Sequence, residues 1–381
     1  MWCGKLIRKN ILSLREIKIL NSMYWKFIKL ILTGIMSAVL ASCSTNGGEN
    51  DGGGFSTTID SAFVNPVWDG ADPWMVKKDS FYYYCYTENN AIKVSKSRIM
   101  TERNNIKTVW EAPETGWNKN HIWAPELHYV DGRWYIYYAA GREGPPFIHQ
   151  RSGALKSAGE YALGEYEETG MLYTSDHPGN KTSIWAIDVT VLQHHGELYA
   201  IWSGWKDNAE TDQTPQHLYI APMKDPHTLA GPRVKISSPE KDWETGGPLD
   251  LNEGPQVLKT DTSVFIIYSC RESWLKEYRL GQLRLKSYDA DPLKPENWIK
   301  SGPVFQGTEK VYGTGHASFV KSPDGTEDWI IYHSKKSTEP GWNRDIRMQQ
   351  FHWNNDGSPD FGEPIPVGVP LKRPSGEVAI E

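Results

Sequence analysis

The sequence predicts an all-β protein, specifically a five-bladed β-propeller, and three observations lead there. The 381 residues include 17 Trp, 19 Tyr, 10 Phe, 34 Gly and 24 Pro, a composition suited to many short strands joined by tight turns. One phrase recurs five times: a small or polar start, an apolar strand, a turn, an aromatic strand and a further strand. The phrases start at residues 72, 124, 188, 253 and 316, with spacings of 52, 64, 65 and 63. Each spacing fits one antiparallel sheet of about four strands. A two-layer sandwich gives no reason for such a period.

In chain order, the first feature is the apolar stretch Phe27 to Leu40, with Lys26 and Lys29 at its start. It is short and poorly flanked for a membrane span. It ends in Leu40-Ala41-Ser42-Cys43, which resembles a bacterial lipoprotein lipobox. That resemblance implies cleavage before Cys43, acylation of its thiol, and an exported, membrane-anchored protein facing the periplasm or the cell exterior. The signal reads well from Met23, so residues 1–22 read as an over-extended start. Ser44 to Gly54 is polar and glycine-rich and can bury nothing, so it reads as a tether. The expected organisation is an export signal over 1–42, an acylated cysteine and linker over 43–58, and a propeller over 59–381. Cys85 and Cys270 each sit in an aromatic strand-like run and read as buried filler, with no disulfide framework.

The first copy runs Asp72 to Val76, then Phe81 to Tyr86, then Ala91 to Ser95. The second runs Ala124 to Val130 and Trp134 to Tyr138, and the third Asp188 to Leu192, Leu198 to Trp202 and His217 to Ala221. The fourth runs Glu253 to Leu258 and Val264 to Tyr268. The fifth runs His316 to Val320, Trp329 to His333 and Ile346 to Phe351. The strands are apolar on both faces because neighbouring blades cover both.

The innermost strand of each blade lines the central channel, so equivalent first residues form a ring: Asp72, Ala124, Asp188, Glu253 and His316. Unpaired carboxylates are costly to desolvate, and three in one ring point to chemistry. Glycoside hydrolysis needs such a set, one carboxyl protonated for the leaving oxygen and one ionised for water or carbon. Burial and mutual repulsion push the pKa values apart and so divide the roles. A cation site is the other use of such a ring; calcium prefers oxygen ligands, which His316 does not offer. With 41 Lys+Arg against 47 Asp+Glu the formal charge is −6, which argues against nucleic acid as a partner. No H-E-x-x-H, C-x-x-C or G-x-S-x-G pattern occurs, which sets aside the usual zinc protease, redox and α/β-hydrolase readings. Trp74 and Trp123 beside the ring are candidates for stacking on a sugar face.

The ring and its flanks resemble glycoside hydrolase family 43. The resemblance spans about residues 62–370 and is carried by Asn65-Pro66, Gly70-Ala71-Asp72-Pro73-Trp74, Ile122-Trp123-Ala124-Pro125-Glu126-Leu127, Trp185-Ala186-Ile187-Asp188, Asn252-Glu253-Gly254-Pro255 and Gly313-Thr314-Gly315-His316. It implies a five-bladed propeller with an inverting mechanism, Asp72 as general base, Asp188 as pKa modulator and Glu253 as general acid. It makes Arg347 a residue near the sugar hydroxyls and Glu126 part of the sugar-binding wall. His316 becomes an axial histidine that holds calcium or water; otherwise no cofactor is required. The substrate class looks most like that of exo-acting α-L-arabinofuranosidases on plant cell-wall arabinan or arabinose-decorated oligosaccharides. A β-xylosidase or endo-arabinanase on the same fold stays open, as does a sugar-binding propeller without catalysis.

Overall fold

The computed structural model describes residues 61–377; the export signal, Cys43 and the linker expected over residues 1–58 lie outside them, apart from the propeller. The described residues form five antiparallel sheets arranged as blades and a separate two-stranded pair, Ala62–Val64 with Pro370–Lys372, with no α-helix and two three-residue 3₁₀ turns. Blade one comprises Trp74–Lys78, Phe81–Glu88, Ala91–Ser97 and Lys107–Glu111. Blade two comprises Asn120–Val130, Arg133–Gly141, Arg151–Ser157 and Tyr166–Met171. Blade three is built on Ala186–His194, Glu197–Gly204, His217–Asp225 and Val234–Ser237. Blade four has Asn252–Lys259, Val264–Cys270, Arg279–Leu285 and Trp298–Gln306. Each blade runs inner strand first, and the expected period is the blade.

Blade five breaks this order, and the break closes the ring. Its strands Tyr312–Lys321, Asp328–Lys335 and Arg344–Trp353 are completed by Trp68–Asp69 from the start of the domain, paired at Ile346 and Asp345. Asn65 extends the same join: its side-chain amide donates to the Met348 carbonyl at 2.9 Å and accepts the Met348 N–H at 3.0 Å. A side chain here imitates a strand, so the sheet edge keeps its hydrogen bonds.

The core lies between blades rather than within one. Alternate residues of a strand face opposite sides of the sheet, and Phe81–Glu88 shows the consequence. Tyr83 and Cys85 pack with Ile122, Leu127 and Ile136 of blade two, whereas Tyr82 and Tyr84 pack with Trp329, Ile331 and Met348 of blade five. Comparable clusters fill the other three junctions. Cys85 and Cys270 are buried and unpaired, as expected, and burial pushes both thiols up.

The functionally important local feature sits at the head of the inner strands. In blade three Ile187 pairs with Ser203 and Thr190 with Ile201, three residues of progress against two. The same one-residue bulge follows Trp123, Glu253 and Gly315. The bulged residue adopts the left-handed conformation: Ala124 (φ 41°), Asp188 (57°), Gly254 (53°) and His316 (47°), with Asp72 (49°) at the matching place in blade one. The expected ring therefore needs one correction. Gly254, not Glu253, is equivalent to the other four, and Glu253 holds the position of Trp123, Ile187 and Gly315. The proline after the bulged residue, Pro73, Pro125 and Pro255, marks this register in the sequence.

Because Trp68 lies on the closing strand, packed on Tyr84 with centroids 4.8 Å apart and 51° between planes and lying beneath the Arg103 guanidinium at 4.9 Å, its loss loosens the join of first and fifth blades. Trp68→Ala is expected to destabilise the domain by about 2–4 kcal/mol in urea unfolding, and an unchanged midpoint would contradict this account of closure.

Candidate active site

Asp72, Asp188 and Glu253 converge at one mouth of the channel, although 181 residues separate the first from the last. Their linkage is visible in contacts. The Gly254 N–H, one residue after Glu253, donates to Asp188 Oδ2 at 2.9 Å. Glu253 Oε1 accepts the Tyr278 hydroxyl at 2.9 Å. Tyr278 stacks on His333 with ring centroids 5.3 Å apart and 11° between planes. His333 Nδ1 in turn accepts the Asp72 N–H at 3.1 Å. One continuous set of contacts thus runs from Glu253 to Asp72.

Two glycines make this arrangement sterically attainable. A Cβ at Gly254 would lie 3.0 Å from His316 Nδ1, and one at Gly315 would lie 2.3 Å from the Tyr278 ring. The His316 N–H is held by Ser269 Oγ at 2.8 Å, which fixes the bulge against the neighbouring strand.

The electrostatic surroundings of the carboxyls differ in sign. Burial would push Asp72 up, but the Arg344 guanidinium, then the His316 and His333 rings, outweigh it and hold this carboxyl well below the usual range. Arg344 Nη1 and His333 Nδ1 each lie 3.2 Å from Asp72 Oδ1, and His316 Nδ1 lies 3.3 Å away. Glu253 is pushed far up, first by burial and then by the Asp188 charge, with the Tyr278 hydrogen bond opposing. Asp188 is also pushed up, by burial first and by Asp72, against the pull of His316. The site therefore biases one carboxyl toward its ionised form and the one facing it toward its protonated form. Burial lowers His333 to about 4, so this ring is neutral.

The remaining expected site residues divide. Trp123 stays on the mouth side, half-buried and edge-on to Phe147 at 5.0 Å, beside the Trp185–Trp205 stack. Trp74 bridges blades one and two: its Nε1–H donates to the Leu127 carbonyl at 2.8 Å and its ring packs on His128. Glu126 is 1% exposed, its carboxyl engaged by Gln256 from across the channel and by His128 at 2.8 Å. It is an internal tie, pushed up to about 8 by burial, and makes no part of a sugar-binding wall. Arg347 is 3% exposed and spends its guanidinium on Ser334, Asp345 and the Ile365 carbonyl. Arg344 is the fifth-blade arginine that reaches the carboxylates. Both arginines lie in Arg344-Asp345-Ile346-Arg347, so local sequence could not separate them. Tyr278 and His333 were also missed: Tyr278 sits in the charged segment Lys276-Glu277-Tyr278-Arg279 and His333 at the end of an apolar strand, and neither has a motif of its own.

No group of three or more His, Cys, Asp or Glu among the described residues is disposed to hold a metal, and His316, expected to serve calcium or water, has its Nδ1 3.3 Å from Asp72 Oδ1.

Fold and site define a class: a five-bladed propeller with a pocket of three carboxyls, split in protonation, at one end of its channel. A family model for glycosyl hydrolases family 43 matches residues 63–359. The chain belongs to that family. It is 35% identical over 326 residues to a Streptomyces avermitilis protein named extracellular exo-α-(1→5)-L-arabinofuranosidase, covering 81% of this chain and 64% of the relative. It is 33% identical over 317 residues to α-L-arabinofuranosidase 43 of Humicola insolens, covering 78% and 62%. The chain thus spans a little under two thirds of the length of these relatives. The crystal structure of an α-L-arabinofuranosidase from Lactobacillus brevis superposes with a TM-score of 0.73 at 31% identity, covering 81% of this chain and 98% of that one.

Removing the cation beside Asp72 disfavours its charged form and must raise its titration. In a protein with ¹³C-labelled aspartate, Arg344→Gln is expected to move the Asp72 carboxyl upward by a unit or more, whereas Arg347→Gln leaves it in place. Equal titration in both variants would show that Arg344 is not what holds this carboxylate.

Proposed function

We propose that this protein is an inverting, exo-acting α-L-arabinofuranosidase that removes terminal arabinofuranosyl residues from arabinan or arabinose-decorated oligosaccharides. The observation that carries the reading is the opposite electrostatic treatment of Asp72 and Glu253 in one pocket. A carboxylate held ionised serves as general base, and a carboxylic acid held protonated serves as general acid. The sugar specificity rests on the similarity to relatives named for arabinofuranosidase activity.

In the proposed reaction Asp72 takes a proton from a water molecule, whose oxygen attacks the anomeric carbon. Glu253 delivers its proton to the glycosidic oxygen as the carbon–oxygen bond breaks, and the leaving sugar departs as a neutral alcohol. Attack opposite to departure inverts the anomeric centre in a single displacement. Asp188 acts through Glu253: its negative charge keeps the acid protonated, while the Gly254 N–H fixes its own position. Tyr278 opposes Asp188 by favouring the ionised form of Glu253. His333 and Arg344 set the Asp72 carboxylate in place.

The similarity to a relative named extracellular, together with the Cys43 signal, supports export; we include in the proposal that the chain is anchored to a membrane by lipid at Cys43. Arabinose-containing plant cell-wall saccharides are then the expected partners.

Time-resolved ¹H NMR of arabinobiose hydrolysis is expected to show β-arabinofuranose first, and early α-anomer would overturn the single displacement. Glu253→Gln is expected to lower kcat about 10²–10⁴-fold on the same substrate; unaltered hydrolysis would remove the acid assigned here.

The alkaline limb of the kcat/KM profile reports ionisation of Glu253. Asp188→Asn removes the charge that disfavours that ionisation, so the limb moves to lower pH. Tyr278→Phe removes a donor that favours it, so the limb moves to higher pH. Shifts in the same direction would contradict the assignments of Asp188 and Tyr278.

A further inference from the structure

Protonation of the leaving oxygen requires that the departing sugar lie on the Glu253 side of the pocket, and the rim there carries a pair of tryptophans that the mechanism does not use. Trp274 sits in the connection between the second and third strands of blade four, the same segment that delivers Tyr278 to Glu253. Trp342 sits in the corresponding connection of blade five, two residues before Arg344, whose guanidinium reaches Asp72. The rings lie 5.8 Å apart at 55°. The Gly341 N–H ties the two connections by donating to the Trp274 carbonyl at 2.8 Å, and the Gly313 N–H, in the first strand of blade five, donates to the Lys276 carbonyl at 2.9 Å. Trp342 is 62% exposed, and no other tryptophan among the described residues is exposed.

An indole left in water while the fourteen others among the described residues are buried or half-buried is a surface waiting for apolar contact, and a sugar presents its C–H face to such a plane. The pair is angled rather than stacked, so one ring can hold the other while offering its own open face. From this placement we infer that Trp342, braced by Trp274, forms the binding site for the sugar unit on the leaving-group side of the scissile bond. The occupant is the penultimate pentofuranose of an arabino-oligosaccharide. This inference rests on Glu253 as the acid, since that is what puts the leaving group over blades four and five. Trp342 makes no contact with the reacting atoms, so its effect is confined to substrates whose leaving group is a sugar.

The test compares arabinotriose with α-L-arabinofuranosyl fluoride, whose leaving group is a single atom. Trp342→Ala is expected to lower kcat/KM for arabinotriose about 10–50-fold, mostly through KM, and to change that for the fluoride less than twofold. Trp342→Phe is expected to recover most of the loss. Equal effects on both substrates, or none on arabinotriose, would overturn the subsite while leaving the hydrolase intact. Wild-type protein that cleaves neither compound would instead remove the proposed activity and the subsite with it.

Discussion

The bulge at the head of each inner strand is the constraint on which the rest of the site depends. A regular strand would alternate its side chains between the two inter-blade cores, and every polar residue there would have to enter an apolar junction. One extra residue in the left-handed conformation breaks the alternation at the channel mouth and turns side chains onto the axis. For Asp72, Ala124, Asp188 and His316 this conformation costs on the order of 1–3 kcal/mol each. It persists because the apolar clusters between blades fix both ends of every inner strand. In blade four the strain is relieved by Gly254, which also leaves room for the His316 ring. The closure of blade five by Trp68–Asp69 serves the same end, since an open ring would release the strands that impose the bulges.

Once the side chains are on the axis, charge separation follows from their neighbours. The Arg344 guanidinium and the His316 and His333 rings face Asp72, while Glu253 faces another carboxylate and a tyrosine. The low dielectric of a buried site magnifies both influences. The contact path through Tyr278 and His333 holds the two carboxyls on a common frame, so that orientation and protonation are set by the same residues.

The repeat was legible because it is a property of spacing and alternation, and both survive in one dimension. Strands such as Phe81–Glu88 and Val264–Cys270 are written in the chain as uninterrupted apolar runs, since both faces are covered. Asp72 and Asp188 were likewise legible as ring positions. The repeat alone put Glu253 in the wrong register: Gly254 is the bulged residue of blade four, followed by Pro255 as Asp72 and Ala124 are followed by Pro73 and Pro125. Arg344 and Arg347 lie on one regular strand, and only the closed ring shows that Arg344 meets Asp72 while Arg347 turns to Ser334 and Asp345. Glu126, two positions beyond the bulged Ala124, is buried against Gln256 and His128, partners that no local pattern reveals.

The sequence by itself determined the number of blades and the strand runs, because hydrophobic periodicity acts locally and repeats. Tertiary structure alone decided which residues surround each acid: Arg344 against Asp72 is an approach across 272 positions, and Asp188 beside Gly254 one across 66. Protonation state follows from those distances, and no distance between remote residues is encoded in a spacing until the ring closes and brings the blades together.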